Sequence, residues 1–347
     1  MNATLCRPDV DAQFAEIVAE LTRRGLIASG LGTAIAIGLG GCSGNGQSDS
    51  SPSAGPSTQT IKTAYGDVTA PTNPTRVVCV DTYTVSALLD VGYTPVGVGD
   101  GGADLMLARY GATYASITKV TSADDDVKLE AIAALQPDLI LGVNYSYIAK
   151  LRGKLAKIAP TAIFTWDTSG DWVAMAASAA AAVGKATQEK DLEGRYRERA
   201  EQIKTTYADL LTTTKIDLVT AGGGQAYVWL PGSGVAGVLA DAGVQLASAS
   251  QGPGVKASRN DQKSGFKALS YEELDALSDA DEIVTLADAH GTMDPDAKEM
   301  TRQATFTRLP AAKSGHVDAF VNFFPFSYGQ ALAALDELTT VLERLRR

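Results

Sequence analysis

The sequence predicts an α/β protein of two lobes, each with a mainly parallel central sheet flanked by helices, joined by one long α-helix. The joining helix is the charged stretch at residues 187–211, where apolar residues recur at three-and-four spacing. Strands alternate with helices before this stretch, and the alternation restarts after it, which is typical of parallel sheets. Short segments also recur: Leu88-Leu-Asp-Val-Gly-Tyr93 returns as Leu239-Ala-Asp-Ala-Gly-Val244, and Lys128-Leu-Glu130 returns as Ser270-Tyr-Glu272.

Residues 1–41 are predicted to be a lipoprotein signal peptide and not part of the fold. Arg23 and Arg24 resemble a twin-arginine export signal, although the acidic residues before them leave the Tat and Sec routes both open. The apolar run that follows is too short and too rich in glycine for a transmembrane helix. It ends in Leu39-Gly-Gly-Cys42, which resembles a lipobox, so Cys42 is the predicted lipidation site.

Residues 42–60 are rich in Gly, Ser, Pro and Thr and are predicted to be a flexible tether. Once Cys6 is removed with the signal peptide and Cys42 is acylated, Cys79 remains alone in an apolar strand. It is predicted to be a buried small hydrophobe. The chain has 45% hydrophobic residues and a net charge of −10, so a sizeable core is expected and nucleic-acid binding is not.

The N-terminal lobe is predicted to span residues 61–186. Its β-branched and apolar runs predict strands at residues 76–81, 95–99, 137–142 and 161–165. The segments between them predict helices at residues 82–90, 127–135 and 171–183. Loops at the carboxyl ends of parallel strands carry the useful side chains, here residues 82–84, 100–104 and 144–147.

The C-terminal lobe is predicted to span residues 212–347. The same reasoning predicts strands at residues 216–221, 226–230, 282–287 and 317–321. Helices are predicted at residues 235–242, 271–277 and 329–345. A crevice is predicted between the two lobes, which the connecting helix joins. In this lobe it is bordered by the loops at residues 287–294 and 322–328.

The order of several motifs resembles the periplasmic-binding family of iron-siderophore and cobalamin ABC importers. The motifs are Asn73-Pro-Thr-Arg-Val-Val-Cys-Val-Asp81, Lys128-Leu-Glu-Ala-Ile-Ala, Pro231-Gly-Ser-Gly234, Ser270-Tyr-Glu-Glu-Leu274 and Gly329-Gln-Ala-Leu-Ala-Ala-Leu335. The resemblance implies a monomeric receptor, lipid-anchored at the extracytoplasmic face of the cell membrane, that carries a ferric siderophore to an ABC importer permease. It also implies one permease-docking carboxylate per lobe, which by motif position are Glu130 and Glu272, with Glu273 as the fallback.

The ligand site is expected where the strand-end loops of the two lobes face each other. The candidates are Tyr83, Asn144, Tyr145 and Trp166 in the first lobe, and Tyr227, Trp229, Arg259, Phe324 and Tyr328 in the second. Aromatic rings with one or two cations suit a bulky, partly apolar ferric chelate whose oxygens carry negative charge. Three alternatives stay open: Trp229 in the core, Arg259 in solvent, and residues 323–326 as a packed edge of the lobe.

No resident cofactor or metal site is predicted, because a Zn or Mn receptor needs several His ligands and this chain has only His290 and His316. A haem or cobalamin receptor of the same fold remains an alternative, as does an extracytoplasmic lipoprotein that interacts with other proteins without transport. An enzyme is not expected. Gly222-Gly-Gly224 lies between two predicted strands and so lacks the helix N-terminus of a phosphate loop.

Overall fold

The structure, a computed structural model, describes residues 57–121, 127–167, 169–251 and 265–347. The predicted signal peptide, the predicted lipidation site Cys42, most of the predicted tether and Arg259 lie outside these ranges. Within the ranges, no helix combines the length and the apolar character that crossing a bilayer requires.

A hairpin that was not predicted opens the described chain. Strands β1 (Thr58–Thr63) and β2 (Gly66–Pro71) pair antiparallel. Just after β1, the Ala64 N–H donates to the Ile163 carbonyl at 2.8 Å, so the hairpin packs on the first-lobe sheet. The tether prediction is therefore wrong at its end, because β1 begins before residue 60.

The first lobe is built on a five-stranded parallel sheet in the order β5-β4-β3-β6-β7. The strands are β3 (Val77–Cys79), β4 (Gly97–Val98), β5 (Thr118–Lys119), β6 (Leu139–Val143) and β7 (Thr161–Phe164). Every residue of β3, β6 and β7 is buried, which explains their continuous apolar sequences, since helices cover a parallel sheet on both faces. Cys79 is fully buried, as predicted, and burial raises the pKa of its thiol.

The helices of this lobe are α1 (Thr82–Asp90), α2 (Ala103–Ala115), α3 (Leu129–Ala134), α4 (Ser146–Ile158) and α5 (Trp172–Ala182). The helices predicted at residues 82–90, 127–135 and 171–183 are confirmed as α1, α3 and α5, whereas α2 and α4 were not predicted. Gly111 has a φ of +49° inside α2, so the helix is kinked there and is not one regular helix.

The long helix between the two sheets is confirmed as α6 (Ala186–Thr206), followed by one short turn, α7 (Ala208–Leu211). The prediction of one helix over residues 187–211 is wrong at Tyr207, where φ is −114° and ψ is 22°. Gly194 does not interrupt α6. Tyr196 on its buried face donates a hydrogen bond of 2.7 Å to Asp241 in the second lobe, so the helix is fixed to the lobe that follows it.

The second lobe contains a six-stranded mixed sheet in the order β11-β9-β8-β12-β13, with β10 also paired to β8. The strands are β8 (Lys215–Gly222), β9 (Gln225–Trp229), β10 (Gln245–Leu246), β11 (Phe266–Ser270), β12 (Glu282–Leu286) and β13 (Val317–Phe320). Pairing is parallel except where β9 joins β8 and β11. Gly223 and Gly224, at φ +59° and +77°, form the tight turn between β8 and β9.

The helices of the second lobe are α8 (Gly234–Asp241), α9 (Pro295–Thr301), α10 (Pro310–Lys313) and α11 (Tyr328–Leu345). The short helix predicted at residues 271–277 is a 3-10 helix, Tyr271–Leu277. Strand β11 and helices α9 and α10 were not predicted. The C-terminal helix α11 packs against α6, with Arg199 paired to Asp336 at 2.9 Å, and this contact ties the end of the chain to the connecting helix.

A buried carboxylate on the connecting helix opposes the fold at neutral and alkaline pH. Glu189 is 4% exposed, and its Oε1 has no hydrogen-bond partner among the described residues. Burial, together with the negative charges of Asp90 and Glu193, raises the pKa of Glu189 to about 7. Above that pH the folded protein therefore holds a poorly solvated negative charge.

Replacing Glu189 with glutamine is expected to increase the free energy of unfolding at pH 8 by about 1–3 kcal/mol, because the amide keeps the shape without the charge. The folded pKa lies above the unfolded value of 4.5. The gain should therefore shrink as the pH falls through the folded pKa, and vanish below the unfolded pKa, where the carboxyl is protonated in both states. Urea unfolding across this pH range measures the effect. Glu198→Gln, at an exposed position of the same helix, is the control. Equal stability of the two variants at pH 8 would contradict the assignment.

Candidate functional site

A first aromatic group, consisting of Tyr83, Tyr145, Tyr147 and Trp166, lies beyond the carboxyl ends of β3, β6 and β7. The ring centroids of Tyr83 lie 4.6 Å from Trp166 and 5.4 Å from Tyr145. The Tyr83 hydroxyl donates to the Tyr145 hydroxyl at 3.0 Å, and burial together with Tyr145 raises the pKa of Tyr83. Three of the predicted ligand residues, Tyr83, Tyr145 and Trp166, therefore form one cluster of rings.

Asp81, which sequence reasoning did not single out as a site residue, fixes the loops that carry this group. It is 3% exposed and caps α1, with Oδ1 accepting from the Thr84 N–H at 2.8 Å and the Thr84 hydroxyl at 2.9 Å. Its Oδ2 accepts from the Val143 N–H at 2.8 Å, which joins the end of β6 to the start of α1. Burial raises the pKa of Asp81 to about 6 despite these hydrogen bonds. The available signal was an Asp placed directly before a helix.

Asn144 has a structural part in the same loops. Its Oδ1 accepts from the Trp166 N–H at 2.8 Å, and its own N–H donates to the Phe164 carbonyl at 3.0 Å. The side chain thus connects the ends of β6 and β7 and holds Trp166, which is 4% exposed. Asn144 was predicted as a ligand residue, and its observed contacts position the neighbouring indole.

A second aromatic group, consisting of Tyr227, Trp229, Phe266, Phe323 and Phe324, lies on the second lobe. The Trp229 centroid is 4.9 Å from Phe324 and 5.3 Å from Phe266, and Tyr227 is 5.0 Å from Phe266. Tyr227 and Trp229 lie on one face of β9 because side chains alternate along a strand. Trp229 is half-buried, and its Nε1 donates to the Thr220 hydroxyl at 3.0 Å. Phe266 was missed because its strand follows a segment that looks like a continuous loop.

Phe326 connects the two lobes. It belongs to the loop between β13 and α11, yet its ring contacts Tyr83 edge-on at 4.5 Å and lies 5.9 Å from Trp166. Beside it is a cavity of about 360 Å³ whose walls come from both lobes. Its lining includes Met106, Arg109, Asn322, Phe324, Phe326 and Glu337. The predicted crevice between the lobes is thus present in the structure, and Phe326 lies where the second lobe contacts the first.

Tyr328 is not part of either aromatic group, and its predicted place in the cleft is corrected. It is 4% exposed, and its ring lies 5.0 Å from Trp172 and 5.4 Å from Tyr196. Tyr328 is the first residue of α11, and the turn of the helix directs its ring toward the connecting helix and away from Phe326. It belongs to the core between the lobes.

The lobes also meet at a polar contact centred on Asp90. The Gly329 N–H, in the first turn of α11, donates to Asp90 Oδ2 at 2.9 Å. Within the first lobe, Asp90 Oδ1 accepts from the Tyr110 hydroxyl at 3.0 Å and pairs with Arg109 at 3.3 Å. A carboxylate at a helix N-terminus is favoured by the exposed N–H groups and the helix dipole. Asp90 therefore fixes how closely α1 and α11 approach.

The described residues contain no group of three or more His, Cys, Asp or Glu side chains that could hold a metal ion. His290 is exposed on the loop after β12, where its N–H donates to Asp288 at 2.9 Å. Its neighbour Ala289 lines the cavity between the lobes.

The two predicted docking carboxylates begin short helices on different lobes. Glu130 lies in the first turn of α3 and Glu272 in the first turn of the 3-10 helix Tyr271–Leu277. The fallback residue, Glu273, instead accepts from the Ser270 N–H at 2.9 Å and closes a capping box, and these hydrogen bonds lower its pKa. Glu272 is exposed beside it and is the better candidate for an external partner.

Comparisons with known proteins agree with this architecture. The family described as "Periplasmic binding protein" matches residues 77–319. The "Probable siderophore-binding lipoprotein YfiY" of Bacillus subtilis (strain 168) is 28% identical over 284 residues, covering 80% of this chain and 85% of that protein. The "Iron(3+)-hydroxamate-binding protein YxeB" of the same organism is 31% identical over 176 residues, covering 49% of this chain and 50% of that protein.

A solved structure shows the same likeness in three dimensions. It is the siderophore periplasmic binding protein from the fuscachelin gene cluster of Thermobifida fusca, with a TM-score of 0.68 and 32% sequence identity. The match covers 79% of this chain and 98% of that one, so it includes both lobes. The names of these three similar proteins describe binding and not catalysis.

Proposed function

The chain belongs to the periplasmic binding protein family, and we propose that it is a lipid-anchored extracytoplasmic receptor that binds a ferric siderophore between its lobes and delivers it to an ABC importer permease. The observation that carries the proposal is a cavity of about 360 Å³ between the lobes, beside the contact of Phe326 from the second lobe with Tyr83 and Trp166 of the first. Ligand pockets for molecules of this kind are concave, largely apolar and aromatic, with a few placed polar groups.

The identities of the similar proteins support the choice of ligand. YfiY and the Thermobifida fusca protein are named for siderophores, and YxeB for an iron hydroxamate. The rings of Tyr83, Trp229 and Phe324 supply flat apolar surface for the organic shell of such a chelate. The iron is the ligand's cargo and is held by the chelate's own oxygens.

Lipid anchoring at Cys42 is the part of the proposal that rests on sequence. The segment Leu39-Gly-Gly-Cys42 resembles a lipobox, and YfiY is named as a lipoprotein.

Native mass spectrometry of the purified protein against a ligand panel tests the ligand class. The panel contains a ferric trihydroxamate, a ferric catecholate, ferric citrate, haem and cobalamin, each also without its metal where that form exists. We expect one-to-one retention of at least one ferric siderophore and weaker retention of its iron-free form. Retention of haem or cobalamin alone would assign the protein to those ligands. Retention of none would favour an extracytoplasmic interaction lipoprotein.

Reversing both proposed docking charges, Glu130→Lys with Glu272→Lys, is expected to abolish iron uptake while leaving the ligand Kd unchanged. Both side chains start short helices on the lobe surfaces, and rim charges chiefly set association rate and register with a partner. Uptake of radioactive iron chelate by cells that depend on this receptor measures the effect. The matched control reverses the exposed residues Glu198 and Glu343 to lysine. Normal uptake by the docking variant would refute this assignment.

A further inference from the structure

The loop at residues 321–327 carries Phe323, Phe324 and Phe326, and its first N–H groups are satisfied by one side chain of the C-terminal helix. The carboxylate of Glu337 accepts from the Val321 N–H at 2.9 Å through Oε1 and from the Asn322 N–H at 3.2 Å through Oε2. Burial raises the pKa of Glu337, while the two N–H groups act in the opposite direction. One carboxylate therefore fixes the start of the aromatic loop.

The end of the same loop is fixed by the same helix. Gln330 is 7% exposed, and its Oε1 accepts from the Phe326 N–H at 2.7 Å. Its own N–H donates to the hydroxyl of Ser327, the N-cap of α11, at 3.4 Å. Residues i and i+7 lie two turns apart on one face of a helix, so Gln330 and Glu337 hold the loop from a single face of α11. Both side chains also line the cavity between the lobes.

We propose that Glu337 and Gln330 are positioning residues of the receptor: they hold the aromatic loop in its ligand-binding conformation before the ligand arrives. The inference rests on the proposed function and extends it to residues outside the aromatic surface. A loop already ordered in the free protein costs less to immobilise on binding. When only a fraction of molecules has the competent loop, the apparent Kd rises by the inverse of that fraction.

The accepting atoms explain why these residue types are needed. Both oxygens of Glu337 accept from backbone N–H groups of the loop, so the carboxylate holds the loop directly. A glutamine at residue 337 offers only one accepting oxygen, and an alanine offers none. At residue 330, a glutamate keeps the acceptor for the Phe326 N–H, whereas an alanine removes it.

The test compares Glu337→Ala, Glu337→Gln, Gln330→Ala and Gln330→Glu with wild type, and Glu343→Ala at an exposed position of α11 is the control. Amide hydrogen exchange of Val321, Asn322 and Phe326 is measured without ligand. The Kd is measured with ferrioxamine B, a ferric trihydroxamate, and with a ferric catecholate. Thermal unfolding monitored by circular dichroism confirms that each variant folds.

We expect Glu337→Ala to speed amide exchange at Val321 and Asn322 and to raise the Kd about tenfold to hundredfold, in line with the loss of charge-assisted hydrogen bonds. Glu337→Gln should lie between alanine and wild type. Gln330→Ala should speed exchange at Phe326, and Gln330→Glu should restore slow exchange and affinity. Glu343→Ala should change neither measurement.

Three results would overturn the inference. The first is a Kd within twofold of wild type in both alanine variants. The second is a weaker Kd with unchanged exchange at the three amides, since the side chains would then contact the ligand directly. The third is a Gln330→Glu variant no better than Gln330→Ala. If wild type binds neither chelate, the proposed function fails for ferric trihydroxamates and ferric catecholates. Even then, unchanged amide exchange in the ligand-free variants would refute the proposal that Glu337 and Gln330 hold the loop.

Discussion

Replacing Gly329 with alanine is expected to displace the Asp90 and Arg109 side chains from the contact between the lobes, to lower the free energy of unfolding by about 1–3 kcal/mol and to weaken ligand binding about tenfold. The prediction follows from the closeness of α11 to the first lobe. A Cβ on Gly329 would lie 2.6 Å from Asp90 Cγ, closer than carbon atoms approach in folded proteins, and it would also overlap the Arg109 guanidinium. Calorimetry and a ligand titration measure both effects.

The sign of this effect separates a packing cause from ordinary helix propensity. Alanine is a better helix former than glycine by about 1 kcal/mol, so propensity alone would make the variant more stable. Gly194→Ala on the connecting helix is the matched control, because nothing lies within 4 Å of a Cβ at that position. We expect that variant to be at least as stable as wild type and to bind ligand normally.

A second variant tests whether Asp90 is the obstacle. In an Asp90→Ala background the carboxylate is gone and Arg109 has lost its ion-pair partner, so adding Gly329→Ala should cost little beyond the effect of Asp90→Ala itself. Strictly additive losses in the double variant, or a Gly329→Ala protein indistinguishable from wild type, would contradict the account of the lobe contact.

Replacing Phe326 with alanine is expected to weaken ferric-chelate binding by about 2 kcal/mol or more, which is about thirtyfold. Phe326 is the ring through which the second lobe touches Tyr83 and Trp166, and it also lines the cavity. Its removal takes away apolar surface for the ligand and the aromatic contact that holds the cleft together. Isothermal titration calorimetry with the chelate retained in native mass spectrometry measures the loss.

Two controls accompany this variant. Phe326→Leu keeps apolar bulk and should lose less affinity than alanine. Tyr65→Ala removes an aromatic side chain that is 43% exposed on the N-terminal hairpin, where its ring contacts Arg152, and should leave the Kd unchanged. Wild-type affinity in Phe326→Ala would show that the ligand does not bind at the contact between Phe326 and the first lobe.

The architecture was predictable because its main signals are local and repeated. The charge and apolar spacing of the connecting helix, and the restart of the strand pattern after it, gave two lobes that the structure confirms. Helix α4 also carried a usable signal, since Ile148 and Leu155 lie two turns apart on its buried face. Helix α2 did not, because Gly111 breaks its regularity.

The candidate site was predictable only in part, because short sequence segments do not determine which residues come into contact between the lobes. Aromatic residues sought after strand ends include Tyr83, Tyr145 and Trp166, which the structure clusters, whereas Tyr227 and Trp229 lie within β9. The same reasoning placed Tyr328 in the cleft. Ser327 is instead the N-cap of α11, so Tyr328 is the first helical residue, and the helical turn directs its ring into the core. The interlobe contact of Phe326 and the support from Glu337 depend on where α11 docks, which no single segment specifies.

The central claim, that a ferric siderophore binds between the lobes, is tested most directly by tryptophan fluorescence. The chain has three Trp residues: Trp166 and Trp229 belong to the aromatic groups of the cleft, and Trp172 packs in the core against Tyr196 and Tyr328. We expect saturable quenching of the fluorescence by nanomolar-to-micromolar ferric siderophore in wild type and in Trp172→Phe, and a smaller quench in Trp229→Phe. A flat titration of wild type across hydroxamate, catecholate, citrate and haem ligands would contradict the central claim.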